Sequence, residues 1–176
     1  LIYENKDWKI SLEGDGFTFS DKQGQQKFRK PRLAGDHQFH NAAQAIACAR
    51  NLKSFTISNE AIAEGLQTVE WPARLQQLYK GPLVESLPNG WELWLDGGHN
   101  TAAATATSQE AQKSWADAPL YLIFGMLNTK EPADFLSVLA SQVQELKAVM
   151  IPGEPATLSA EESSKAATLV GINASS

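Results

Sequence analysis

The run Leu93-Trp94-Leu95-Asp96-Gly97-Gly98-His99-Asn100-Thr101 passes from apolar residues through an acid and two glycines into a segment that reads as a helix. A strand ending in such a turn marks the ligand-binding edge of an open α/β sheet, because strand ends and outward-pointing helix N–H groups converge there. Downstream the alternation continues. Trp91 to Leu95 is expected to form a strand, Thr101 to Trp115 a helix and Leu120 to Phe124 a strand. Pro132 to Leu146 is expected to form a helix with Phe135, Leu139, Val143 and Leu146 on its inner face. Ala148 to Ile151 follows as a third strand. Ser159 and Glu162 have the S-x-x-E spacing of a capping box for a last helix, and Gly171 suits its C-terminal cap. Strands alternating with helices of this length predict an α/β fold with a parallel sheet, Rossmann-like in texture, covered by flanking helices on both faces. The chain is read as stopping just after the last helix, short of the strand expected to follow it, and it opens at Leu1 without a methionine, so both ends read as incomplete.

Upstream the texture differs. Trp8, Ile10 and Leu12 alternate with polar residues, and Gly14-Asp15-Gly16 separates them from Phe17-Thr18-Phe19, which predicts a hairpin. After a polar stretch around Gly24 and Arg32, His40 to Leu52 places Ala42, Ile46 and Ala49 on one helical face. Ser58 is positioned to cap a second helix carrying Ile62, Leu66 and Val69. Lys80-Gly81-Pro82 breaks the pattern, so residues 1–80 are expected to form one domain and 81–176 another.

Composition narrows the function. A 43% hydrophobic and 20% charged chain of 176 residues packs cores rather than remaining disordered. A formal charge of −5 and a pI near 5.2 disfavour a nucleic-acid partner. Cys48 stands alone and forms no intrachain disulfide, no apolar run is long enough to cross a bilayer, and the expected location is the cytoplasm.

Three segments carry chemistry. Leu33-Ala34-Gly35-Asp36-His37-Gln38-Phe39-His40-Asn41-Ala42-Ala43 runs from a glycine turn into a helix. By position Asn41 reads first as a helix cap, with the alternative that its amide pairs with the N6 and N7 edge of adenine. His37 and His40 have the spacing of a metal pair, but only Asp36 stands nearby as a further ligand, and no metal site is expected. In Val69-Glu70-Trp71-Pro72-Ala73-Arg74-Leu75-Gln76, Arg74 reads alone as a solvated arginine, or else as a phosphate grip. In the run quoted first, Asp96 can accept from ribose hydroxyls or orient an arginine, and His99 can reach a phosphate or a reacting group. No G-x-G-x-x-G occurs, which disfavours a nicotinamide oxidoreductase.

In this order, Leu33 to Ala43, Trp71 to Gln76, Leu95 to Thr101 and Ile123 to Lys130 resemble the L-x-G-x-H-Q-x-x-N-A-A, W-P-G-R-L-Q, L-D-G-A-H-N-P and F-G-M-like segments of the folylpolyglutamate synthase and dihydrofolate synthase branch of the Mur ligase superfamily. Ala73, Gly98 and Thr101 depart from glycine, alanine and proline. The resemblance implies that residues 1–80 are the end of a central ATPase domain and 81–176 most of a C-terminal domain. It further implies an ATP-dependent amide ligase, with magnesium, adding L-glutamate to a folate or dihydropteroate carboxylate through an acyl phosphate. Asn41 would contact adenine, Arg74 the ATP phosphates, Asp96 the ribose or Arg74 itself, and the catalytic candidate His99 the phosphate or the incoming glutamate. A monomer is expected. G-x-x-x-x-G-K-[ST] occurs nowhere in the chain, so the chain alone is expected to be inactive, with the phosphate loop and magnesium ligands in a preceding region. The alternatives are a non-catalytic nucleotide-binding module and a sister Mur ligase of peptidoglycan synthesis. Gln38 and the W-P-x-R-L-Q run favour the folate branch over the latter.

Overall fold

Alternating apolar residues at the start of the chain give β1 (Trp8–Glu13), which turns through Gly14 and Asp15 into β2 (Gly16–Asp21), and β2 turns again into β3 (Gly24–Arg29). Gly14 has φ 57, the conformation a two-residue hairpin turn requires. The strands are antiparallel in the order β1-β2-β3, with Ile10 opposite Phe19 and Phe17 opposite Phe28. That register puts Trp8, Phe17, Phe19 and Phe28 on one face, where Trp8 stacks on Phe19 and Phe17 on Phe28. Two helices supply the rest of this core: α1 (His37–Arg50), through Phe39, Ala42, Ala43, Ile46 and Ala47, and α2 (Asn59–Thr68), through Ile62. The computed structural model describes residues 1–115 and 118–176.

The predicted hairpin and both helices are present, with α1 starting at His37 instead of His40 and the Ser58 hydroxyl accepting from the Ala61 N–H at the head of α2. The strand β3 was not expected. The domain boundary also differs from the one predicted. Beyond Lys80 lies α3 (Pro82–Glu85), and then β5 (Leu93–Leu95) returns antiparallel to β4 (Gln76–Leu78), with Gln76 opposite Leu95. Pairing across Gly81 keeps this hairpin in one piece. The chain divides into compact units at Leu1–Asp96 and Gly97–Ser176, not at Lys80–Pro82. For the same reason the strand expected at 91–95 is absent from the parallel sheet.

The second unit contains α4 (Thr101–Ser114), β6 (Leu120–Phe124), α5 (Pro132–Leu139), β7 (Val143–Ala148), α6 (Ala160–Leu169) and β8 (Ala174–Ser175). Its three strands are parallel in the order β6-β7-β8, and the strand expected to lie beyond the end of the chain is instead within it as β8. Phe124, Leu146 and Ala148 pack with Phe135, Leu136 and Leu139 of α5 and Ala167 of α6. Tyr121 and Ile123 on the other face are 41% and 72% exposed, so this unit packs helices on one face of its sheet rather than on both. The helix expected to reach Leu146 stops at Leu139, and residues 143–148 form the strand that was expected at Ala148 to Ile151. Between Leu120↔Val143 and Tyr121↔Glu145 the register shifts, leaving Gln144 as an extra residue on β7. That bulge returns Val143 and Leu146 to one face at a three-residue interval, which mimics helical periodicity.

Helix α6 opens with the predicted capping box, the Ser159 hydroxyl accepting from the Glu162 N–H at 3.1 Å and the Glu162 carboxylate accepting from the Ser159 N–H at 2.9 Å. It closes with a Schellman arrangement, in which Ile172 N–H donates to Ala167 O and Gly171, at φ 88, donates to Thr168 O. Hydrogen bonds from the Ser159 backbone and hydroxyl hold the Glu162 carboxyl below its usual value of 4.5. The Lys27 ammonium and the Thr18 hydroxyl do the same for Glu13, and the Glu60 N–H and Ser58 for Glu60. Depressed folded-state values stabilise the fold above pH 4.5, and the stabilisation is lost as pH falls through them. Glu162→Ala is therefore expected to lower Tm at neutral pH and to flatten the acid limb of a Tm-versus-pH profile. An acid limb as steep as that of the unmodified chain would show that the carboxylate contributes nothing there.

Candidate functional site

Within the first unit the chemistry-bearing segments meet at a single turn. Gly35 precedes α1 with φ 99, and a Cβ built on it would lie 2.6 Å from the His37 ring and 3.6 Å from Leu75 Cδ1. At that φ a residue with a side chain would be strained, and its Cβ would have to displace the His37 ring. The Leu75 side chain, 4% exposed, thus packs behind the turn that starts the Asn41 helix. The Leu75 N–H donates to Asp96 Oδ2 at 2.8 Å, joining the second segment to the third. The register Gln76↔Leu95 explains this bond, because it carries Asp96 alongside Leu75.

Arg74 lies between Ala73, at φ 57, and Leu75, at φ 43. For residues with a side chain the left-handed region costs roughly 1 to 2 kcal/mol each, so two such residues flanking one arginine need other interactions to hold them. Those interactions are the Ala73 N–H donating to Gln76 Oε1 at 3.0 Å, the Leu75 bond to Asp96 and the buried Leu75 side chain. The Arg74 side chain is exposed and has no ion-pair partner among the described residues. Its planar fork is available for an anion.

Asn41 lies one turn inside α1, beyond the cap at Asp36, so its position does not make it a helix cap. Its Nδ2 donates to Gln38 Oε1 at 3.0 Å. Gln38 is 4% exposed, and its Nε2 lies 2.9 Å from His37 Nε2, an acceptor when the ring proton is on Nδ1. The buried glutamine fixes the Asn41 amide plane and leaves Asn41 Oδ1 and one amide hydrogen to face outward, the donor-acceptor pair that an adenine edge requires. Sequence reasoning used Gln38 only as a mark of lineage. Its burial could have been anticipated from its place four residues before Ala42 and eight before Ile46, on the apolar face of the helix.

His40 Nδ1 lies 3.0 Å from Glu4 Oε1, and no group of three or more His, Cys, Asp or Glu that could hold a metal ion occurs among the described residues. In the second unit His99 is exposed and its Nδ1 donates to Gly97 O at 3.1 Å, which leaves Nε2 as the acceptor. Asn100 caps α4, its Oδ1 accepting from the Ala103 N–H at 2.9 Å.

No family model matches the chain. Folylpolyglutamate synthase of Lacticaseibacillus casei is 30% identical over 155 residues, covering 85% of this chain and 34% of the relative. Among solved structures, E. coli FolC in complex with DHPP and ADP superimposes with a TM-score of 0.78 at 23% identity, covering 98% of this chain and 37% of that one. A bifunctional folylpolyglutamate synthase/dihydrofolate synthase with Mn, AMPPNP and L-glutamate bound gives a TM-score of 0.74 at 26% identity, covering 98% and 38%. The fold is thus a mixed α/β fold shared with these enzymes. The chain belongs to the folylpolyglutamate synthase and dihydrofolate synthase family, and it spans about a third of the length of these relatives.

Proposed function

We propose that this chain supplies nucleotide-contacting residues and a C-terminal unit to an ATP-dependent ligase that joins L-glutamate to a folate or dihydropteroate carboxylate. The observation that carries the proposal is the convergence at one turn of Gly35, Leu75 and Asp96, which places Arg74 on a braced, exposed apex. In this reading Arg74 receives the charge that develops on the transferred phosphoryl group. Asn41 reads the adenine edge, and Asp96 serves the ribose or the Arg74 turn. In the same reading His99, whose Nδ1 donates to Gly97 O, offers Nε2 to the phosphate or the incoming amine. ATP activates the carboxylate as an acyl phosphate and the glutamate amine displaces phosphate to form the amide. The relatives bound to ADP, or to AMPPNP with Mn and L-glutamate, support the same substrates here. The described residues form no metal donor set, so no step of this reading runs through a metal held by this chain. Among them, no helix is long and apolar enough to cross a membrane. A cytoplasmic monomer fits this reading.

The chain contains no G-x-x-x-x-G-K-[ST] loop to cradle a triphosphate, and its net charge is −5. Three contacts must then offset an association entropy of ~4 kcal/mol or more, so ATP is expected to bind this chain with a Kd of about 1 mM or weaker and no hydrolysis. Calorimetric titration with ATP and magnesium measures this. Micromolar binding or any phosphate release would overturn the placement of the nucleotide site.

A further inference from the structure

We propose that Gln76 is a positioning residue for Arg74, acting with Asp96 by locking the backbone of the turn rather than by touching a ligand. The proposal rests on the reading of Arg74 as a phosphate contact, and it adds a residue and a mechanism to it. The two residues flanking Arg74 are the ones in the left-handed region, Ala73 at φ 57 and Leu75 at φ 43. Their N–H groups are the ones held by side-chain oxygens: Ala73 N–H by Gln76 Oε1 at 3.0 Å, and Leu75 N–H by Asp96 Oδ2 at 2.8 Å. Each anchor therefore acts on one of the two strained residues, and Arg74 between them is left exposed.

The hairpin makes both anchors possible. Gln76 opens β4 and its side chain folds back over the turn it terminates. Leu95 closes β5 opposite Gln76 and delivers Asp96 to the far side of the turn. Leu75, buried behind Gly35, prevents the turn from swinging away from α1. A guanidinium meets a phosphate at full strength only when its fork is already aimed, since an ångström of misplacement forfeits much of the contact. Neither Ala73 nor Leu75 has the glycine that would hold such a turn open without help. The side-chain oxygens take the place of glycine's conformational freedom, and the required chemistry is an acceptor at position 76, with or without charge.

The test uses the isotopically labelled chain with three readouts by NMR: amide exchange at Ala73 and Leu75, the Arg74 Nε–H signal during ATP titration, and the Asn41 side-chain amide signal in the same titration. Gln76→Met removes the acceptor at similar volume, and Gln76→Glu keeps it. Gln76→Met is expected to speed Ala73 exchange about tenfold or more. It is also expected to weaken the Arg74 response about fivefold while the Asn41 response persists, with Gln76→Glu restoring both. Unchanged Ala73 exchange and Arg74 response in Gln76→Met would overturn the proposal, and so would an unprotected Ala73 amide in the unmodified chain, a result that needs no variant to fold. Should ATP leave the Arg74 signal of the unmodified chain unmoved while Gln76→Met still releases Ala73, the phosphate reading would fail and the turn lock would stand as a structural device alone.

Discussion

Replacing Arg50 by methionine is expected to destabilise the chain by about 3 to 5 kcal/mol, because it strands a buried carboxylate. Arg50 Nη1 lies 3.0 Å from Asp21 Oδ1, with the two side chains only 7% and 6% exposed. Nη2 donates to Asn59 Oδ1 at 2.8 Å, and the guanidinium sits 5.3 Å from the centre of the Phe19 ring. One side chain thus joins the end of α1 to β2 and to the first turn of α2. Asp21 also accepts from the Gln23 N–H at 2.8 Å, so its oxygen shapes the β2–β3 turn besides pairing with Arg50. Removing the arginine leaves that charge without its counter-ion, whereas Arg50→Met with Asp21→Asn removes the charge and keeps an acceptor for the turn. The double variant is expected to recover most of the loss, since replacing both partners of a buried pair is often near neutral. Arg50→Lys should recover little, lacking the fork that reaches Asp21 and Asn59 together. Urea unfolding of the four proteins decides the matter. A single variant within about 1 kcal/mol of the unmodified chain would mean that water screens the pair as it does on a surface.

Elements were legible where two local signals agreed. Ser58 before Ile62 and Leu66, and Ser159 with Glu162 before Gly171, each combined a cap with a periodic face, and both helices appear where those signals put them. Where one long-range partner decides, the local pattern misleads. Strand β3 contains Gln25, Gln26 and Lys27 with Phe28 as its buried residue, and it is a strand because β2 offers it a ladder. Strand β7 looked helical because its bulge changed the repeat, and β5 looked parallel because its partner β4 is too short to announce itself.

At the candidate site the residue types were legible and their support was not. Asn41, Arg74, Asp96 and His99 were named from chemistry and motif order. The left-handed conformation of Leu75 has no signal in a leucine, and the bond from its N–H to Asp96 spans 21 residues. One clue did exist. The related motif has glycine where this chain has Ala73, and glycine at such a place points to positive φ, which Ala73 adopts at 57. A turn that keeps this conformation after losing its glycine needs an external hold, and Gln76 was present in the quoted motif without a role.

Leu146→Ala should cost about 3 kcal/mol, within the usual 2 to 5 for a fully buried leucine. Leu146 is 0% exposed at the centre of β7, paired with Leu122 of β6 on one side and Ala174 of β8 on the other, beneath Leu136 and Leu139 of α5. Every neighbour belongs to a fixed element, so the cavity left by the substitution has little freedom to collapse, and the loss should exceed the transfer term of the deleted carbons. Leu146→Val tests the strand assignment more directly. A β-branched residue suits a pleated strand and leaves a smaller void, so its cost should stay below about 1.5 kcal/mol. In the helix first expected for residues 132–146 it would instead crowd the preceding turn. Leu169→Ala supplies the control, since Leu169 is 83% exposed at the end of α6 and its replacement should change stability by no more than about 0.5 kcal/mol. Denaturant midpoints at unchanged slope, followed by far-UV circular dichroism, give all three values on one scale. A Leu146→Ala loss no larger than that of Leu169→Ala would mean that β7 is not the centre of the packed sheet.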